Sequence, residues 1–251
     1  MHTVVFDLET VPDMECWYDA DKPKRGRGRP KKEETEEGET IRPTPTGFAP
    51  IWAHRVICAG VVVFDGNTPT HVDAMGAPNS ADEVPLLQGF GDWVESLQAN
   101  IVTWNGRGFD LPVLELRSFR HGIPQAWYRS GNRYGEDRHV DLCDTLSSYG
   151  VRGVTGYNLD TFARLMGLPG KNGSDGSQVA ALHEAGEHDK IRQYCKRDTV
   201  QTAFVWLRYR LLRGLITAAD YRESCTKLWT MCSSDAAFAD FPIDVKRVWN
   251  G

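Results

Sequence analysis

Four carboxylates and a phenol stand along this chain at spacings that could support phosphodiester hydrolysis. Asp7 and Glu9 end the apolar run VVFDLET. If that run is a strand, both acids project to one face while Leu8 points to the other, toward a core. Two carboxylates side by side repel unless a proton or a cation sits between them. Asp110 ends NGRGFD, directly after the short apolar run IVTW, and Tyr194 precedes Asp198 by four residues in YCKRD. On a helix that spacing puts the phenol and the carboxylate on one face, a turn apart. Each piece has a plainer alternative. The first could be a solvated strand end before a turn at Val11-Pro12, the second an acid placed by the dipole of a helix start, the third a chance pair on a helix. In combination they offer four convergent carboxylates, which suit hard divalent cations and the hydrolysis of phosphodiesters by two metal ions.

Elements able to position these residues follow from the apolar pattern. RVICAGVVVFD (55–65) and THVDAM (70–75) read as strands joined by a turn at Gly66-Asn67, and with the first run they make three. VPLLQGFGDWVESLQ has helical spacing, IVTW is a short buried strand, and LPVLELRSFRHG is a helix closed by Gly122. A further strand at RHVDL precedes TLSSYG, NLDTFARLMGLPG and a long helix over 188–213. The order predicts an α/β fold with one five-stranded mixed sheet flanked by helices. The stretch from Tyr221 onward receives no chemistry. Asp141 and Asp144 in HVDLCD read as strand-end and helix-start acids rather than ligands, and the seven histidines fit no ligand spacing.

FDLET, NGRGFD and YCKRD match the three exonuclease motifs of the Asp-Glu-Asp-Asp superfamily. The chain resembles its bacterial members described as predicted 3′ to 5′ exonucleases related to the proofreading domain of family B DNA polymerases. HVDLCDTLS and GLPGK…GSQV extend the likeness over most of residues 1–213. The resemblance implies a ribonuclease H-like fold. The subclasses of the superfamily carry either a Tyr four residues before the last Asp or a His five before it; the latter position is Gln193, so the likeness is to the tyrosine subclass. It implies that Asp7, Glu9 and Asp198 ligate the ion that activates water, that Asp7 bridges to a second ion, and that Asp110 holds that second site directly or through water. Two ions about 3.5 to 4 Å apart would clamp the attacking and leaving oxygens. Tyr194 would orient the water. The all-oxygen donor set points to Mg²⁺ or Mn²⁺. Asn105 would hydrogen-bond near the scissile nucleotide. Lys171 has two readings, a phosphate contact and a plain exposed loop lysine.

Residues 20–50 interrupt the pattern, where KPKRGRGRPKK is followed by EETEEGET and RPTPTGFAP. Such a stretch cannot bury enough apolar surface to offset the entropy of ordering, and is expected to be a disordered insertion within a single domain of residues 1–251. Its segment 24–32 resembles an AT-hook: Arg25, Arg27, Gly28, Arg29 and Pro30 could lie in the narrow minor groove of A·T-rich DNA, where the negative potential attracts arginine. A solvated charge run is the alternative.

The bulk composition sets limits. Of 251 residues, 41% are hydrophobic, enough for a sizeable core, yet no apolar run reaches the roughly 18 to 20 residues that span a bilayer. A cytoplasmic location without membrane association is expected. Six cysteines without a C-x-x-C pair argue against a structural zinc or a disulfide framework. A formal net charge of −5 means that a nucleic-acid partner must be met through local basic patches or bound cations. The expected partner is DNA with a free 3′ end, with a place in repair or replication, and protein partners are left open. An RNA 3′ to 5′ exonuclease and a non-catalytic DNA-binding protein on the same scaffold are the alternatives.

Overall fold

The computed structural model describes residues 1–20, 48–76, 82–127, 134–135, 138–151, 156–171 and 176–250. Strand β1 (His2–Pro12) is followed by the short helix α1 (Met14–Ala20), and a 3-10 turn (Ile51–Ala53) leads into β2 (His54–Asp65) and β3 (Thr68–Met75). Helix α2 (Val84–Leu97), β4 (Asn100–Thr103), α3 (Asp110–His121) and β5 (His139–Asp141) come next. They are followed by α4 (Leu142–Leu146), α5 (Leu159–Met166), α6 (Gly176–Glu184) and α7 (His188–Leu212). Helices α8 (Ala218–Cys232) and α9 (Val245–Asn250), with a 3-10 turn (Ala236–Phe238) between them, complete the described chain.

The five strands form one sheet in the order β3-β2-β1-β4-β5, with β1 antiparallel to β2 and parallel to β4. This is the mixed five-stranded sheet flanked by helices that the sequence predicts. β1 is central because both of its faces are covered. Val4, Phe6 and Leu8 pack with the apolar residues of α2 and α3, whereas Val5 packs on the opposite face with those of α7. Alternation then puts Asp7 and Glu9 on the α7 face, as the strand period requires.

Pairing between β1 and β4 runs only from Thr3 to Val5, while β1 continues to Pro12 beside β2. The two parallel strands therefore part company at their carboxyl ends, which opens the crevice where sites of α/β sheets form. Strand β1 does not turn at Val11-Pro12. A register shift between Glu9 and Thr10 lets it continue, Val11 is buried, and the proline sits at the strand terminus, where its missing N–H is harmless.

Gly60 sets how near α7 can come. It lies opposite Asp7 in β2, and a Cβ there would be 2.2 Å from Thr199 Oγ1 and 2.8 Å from the Cys195 carbonyl oxygen. Any side chain would hold the helix off. The C-terminal stretch that carries no motif is structural: a capping box of Thr217 and Asp220 starts α8, and Tyr221, Cys225 and Leu228 join Phe204 and Trp206 of α7 in one core. The segment with Arg25, Arg27, Gly28, Arg29 and Pro30 lies outside the described residues.

Candidate active site

Asp7, Glu9, Asn105, Asp110, Lys171, Tyr194 and Asp198 all line one cavity of about 1100 Å³. They come from β1, the loop after β4, the first turn of α3, the segment after α5, and α7. Asp110 stands at the helix start, as one reading of its sequence has it. It begins α3 and, buried, also accepts the Leu8 N–H at 3.1 Å, which ties the helix start to β1 between the two strand carboxylates. Leu8 itself is core.

Asp198 is buried, and its carboxylate is held from three sides. The Tyr194 phenol one turn earlier donates to it, Gln201 Nε2 donates at 3.3 Å, and the Lys171 ammonium stands 3.2 Å away. Lys171 reaches this point because two successive backbone amides, its own and that of Gly170, are anchored to α5 and α7. Gln201 Oε1 accepts the Gly170 N–H at 2.8 Å and Asp160 accepts the Lys171 N–H at 2.6 Å. The ammonium also lies 5.8 Å from the centre of the Tyr194 ring. Although the lysine side chain is 43% exposed, it is thus not a plain loop lysine.

The electrostatics have one dominant cause, burial. It raises the proton affinity of Asp7 and Glu9 well above the usual carboxylate range, and their neighbours add to it: Asp110 and Asp198 at Asp7, Asp7 and Asp198 at Glu9. Burial also lifts Asp110 to about 7 and raises Asp198, against the pull of Lys171. The Tyr194 phenol is driven far above its ordinary value by burial and then by Asp198, so it remains a hydrogen-bond donor. Burial alone would lower Lys171, but Asp198, Tyr194 and Asp7 keep it charged. Three buried carboxylates and the half-buried Asp7, all resisting loss of their protons beside one ammonium, are a donor set suited to hard cations of higher charge.

No motif or spacing singles out Cys195. Its sulfur, an Asp7 oxygen and a Glu9 oxygen all lie within 4.8 Å of one another. The thiol accepts the Gly60 N–H at 3.0 Å and donates to the Asp7 carbonyl at 3.5 Å, and burial pushes its proton affinity up, so it stays a thiol behind the carboxylates. Aromatic groups at one wall were likewise missed. Phe48, His54 and Phe109 pack together with centroids 4.8 to 5.9 Å apart, and His54 bridges Thr10 Oγ1 and the Ala49 carbonyl at 2.9 Å each. Phe109 stands beside Asp110 in its motif and could have been singled out. Phe48 and His54 reach the wall only because the chain returns there.

A protein-family model described as "Predicted 3'-5' exonuclease related to the exonuclease domain of PolB" matches residues 46–241. The chain belongs to this family. The match takes in Asn105, Asp110, Lys171, Tyr194 and Asp198, whereas Asp7 and Glu9 precede it. No curated protein matches the chain. Among solved structures, the family B DNA polymerase from the hyperthermophilic archaeon Pyrobaculum calidifontis superposes with a TM-score of 0.51 at 16% identity, over 92% of this chain and 29% of that one. The zinc-bound E. coli ExoI–ssDNA complex matches with a TM-score of 0.38 at 14% identity, over 87% of this chain and 46% of that one. This PolB-like exonuclease family member therefore spans less than a third of the polymerase and under half of ExoI, and the polymerase likeness extends to the fold, which is ribonuclease H-like. Among the described residues no helix is long and apolar enough to cross a membrane.

Proposed function

We propose that this chain is a metal-dependent 3′ to 5′ exonuclease of the tyrosine subclass, acting on single-stranded or frayed 3′ ends of DNA, with residues 1–251 forming one exonuclease domain. The observation that carries the reading is the convergence of Asp7, Glu9, Asp110 and Asp198 with Tyr194 in one cavity. Asp7, Glu9 and Asp198 would hold one divalent cation, with Asp7 and Asp110 holding a second, Mg²⁺ or Mn²⁺. When bound, such ions supply a nucleophile at neutral pH and offset charge developing on the phosphate.

The chain's own groups do the rest. Tyr194, protonated and fixed by its bond to Asp198, orients the attacking water rather than taking its proton. Lys171, kept charged at the cavity wall, meets a phosphate oxygen of the substrate. Asn105 supplies a hydrogen bond to the terminal nucleotide, and Phe48 and Phe109 give the cavity an aromatic lining on which an unstacked base can rest. The basic segment 24–32 would hold duplex DNA nearby without entering the chemistry, raising the local concentration of ends and suiting a role in repair or replication.

Purified protein incubated with 5′-labelled single-stranded DNA, the matching RNA and a blunt duplex, each with Mg²⁺, Mn²⁺ or EDTA, tests the reading. The expected result is a metal-dependent ladder shortening from the 3′ end of DNA and absent in Asp198→Ala. A ladder on RNA alone would transfer the activity to RNA, and intact substrates throughout would leave a DNA-binding protein on this scaffold.

A further inference from the structure

Asp141 carries more hydrogen bonds than its place in the fold requires. It ends β5 and is 2% exposed. Its Oδ1 accepts the Cys143 and Asp144 N–H groups at 3.1 and 3.3 Å, an ordinary cap for the start of α4. The same Oδ1 also accepts the Asn105 N–H at 2.9 Å, and Oδ2 accepts the Arg107 N–H at 2.9 Å. These two amides belong to the loop after β4, a strand away.

That loop has little freedom to arrange itself otherwise. Asn105 has a φ of 59°, in the left-handed region. A Cβ on Gly106 would stand 2.3 Å from Thr103 Oγ1, and one on Gly108 would stand 2.6 Å from Asn105 Oδ1. Arg107 strengthens the same tie, donating from its guanidinium to the His139 carbonyl at 3.2 Å and standing 3.8 Å from Asp144. Trp104, Asn105, Gly108 and Phe109 of this loop line the cavity, and Asp110 follows it directly. A carboxylate spanning two amides of the loop fixes the direction in which Asn105 and Asp110 point.

We propose that Asp141 is a positioning residue for the exonuclease site: by bridging the Asn105 and Arg107 amides it holds the loop after β4 in the shape that presents Asn105 and Asp110 to the substrate. The proposal rests on the exonuclease reading for its catalytic consequence, but not for its structural one. It also separates from the capping role, because Asn and Ser cap a helix about as well as Asp, while neither carries a second acceptor oxygen.

The test uses the full chain with Asp141→Asn, Asp141→Ser and Asn105→Ala, following amide hydrogen exchange residue by residue together with kcat and KM on a 5′-labelled single-stranded oligonucleotide with Mg²⁺. In both Asp141 variants the Cys143 and Asp144 amides are expected to stay protected, while Arg107 exchanges about tenfold faster, as loss of one hydrogen bond implies. kcat/KM is expected to fall on the order of ten- to a hundredfold, as for a loop displaced by part of an ångström. Adding Asp141→Asn to Asn105→Ala should lower it by less than it does in the wild type, because part of the effect runs through Asn105. Unchanged Arg107 exchange would overturn the proposal whether or not the wild type cuts DNA. Faster Arg107 exchange with wild-type kcat/KM would also overturn it. A wild-type chain inactive on every substrate would refute the exonuclease reading instead, with the exchange data still deciding what Asp141 holds.

Discussion

Replacing Gly60 by alanine should weaken the site from behind, without touching any residue that faces the cavity. The added methyl would meet the Cys195 carbonyl oxygen at 2.8 Å, and ordinary contact begins near 3.4 Å, so the backbone of α7 has to recede by about 0.6 Å. Thr199 Oγ1, at 2.2 Å, must move further, but it can rotate away by giving up its 2.8 Å bond to the Cys195 carbonyl. The carbonyl cannot rotate, and it lies one residue from Tyr194 and three from Asp198. Overpacking of this kind costs about 1 to 3 kcal/mol of stability. Misplacement of a reacting group by an ångström costs on the order of a hundredfold in rate, so the shift predicts a loss of about ten- to a hundredfold in kcat/KM. Urea denaturation gives the first number and a single-strand degradation assay the second. Thr199→Ala, combined with Gly60→Ala, should restore part of the stability but little of the activity, since the carbonyl contact remains. A Gly60→Ala variant with wild-type stability and rate would refute the idea that close approach of α7 to β2 sets the carboxylate geometry.

Three further substitutions have outcomes that the structure fixes in direction. Arg117, 2% exposed, binds Glu83 through Nε at 2.7 Å and Asp13 through a terminal nitrogen at 2.8 Å, so Arg117→Met strips buried Glu83 of its guanidinium and leaves it to the Val56 N–H at 3.0 Å and His121 Nε2 at 2.8 Å. The loss should be about 3 to 5 kcal/mol by urea denaturation, and Arg117→Met with Glu83→Gln should recover part of it. Burial, with the charge of Arg107, lowers His139 to about 3, from roughly 6.5 when unfolded. The unfolded chain then binds the extra proton, so this contribution is intact above about pH 6.5 and declines toward 3; between pH 7 and 4 the wild type should lose about 3 kcal/mol more than His139→Gln. Asp7→Asn removes an acid whose ionisation burial, Asp110 and Asp198 oppose. In EDTA it should melt above the wild type by a margin growing as pH rises from about 4, while Mn²⁺ should raise the melting temperature of the wild type only.

Much of this architecture is written locally. The alternation of Phe6 and Leu8 with Asp7 and Glu9 determines which side of β1 receives the charge, and the structure keeps Phe6 and Leu8 on the opposite face. The turn at Gly66, with a φ of 60°, and the closure of α3 by Gly122, with a φ of 66°, follow from the one residue type that adopts such angles freely. The long α7 matches its predicted bounds to within a residue. What was not legible depends on contacts between distant segments. Lys171 reads as a loop residue until Gln201 and Asp160 are seen holding its backbone at α7 and α5. Cys195 is one more buried thiol until Gly60 allows it to sit behind Asp7 and Glu9. Asp141 reads correctly as a cap, but its hold on Asn105 and Arg107 exists only because β4 and β5 pair in parallel. Helix α1 and the passage of β1 through Pro12 were also absent from the pattern, since a proline after a valine signals a turn more strongly than a strand end.

On the proposed reading, carboxylates from β1, α3 and α7 together hold two divalent cations. Counting bound Mn²⁺ by electron paramagnetic resonance during a titration of the full chain addresses it most directly. Two ions per chain are predicted for the wild type, one for Asp110→Ala, and a severe loss of both for Asp7→Ala, because Asp7 serves both sites. A wild type that binds no Mn²⁺, or a count that Asp7→Ala leaves unchanged, would rule out a shared two-ion site at these carboxylates.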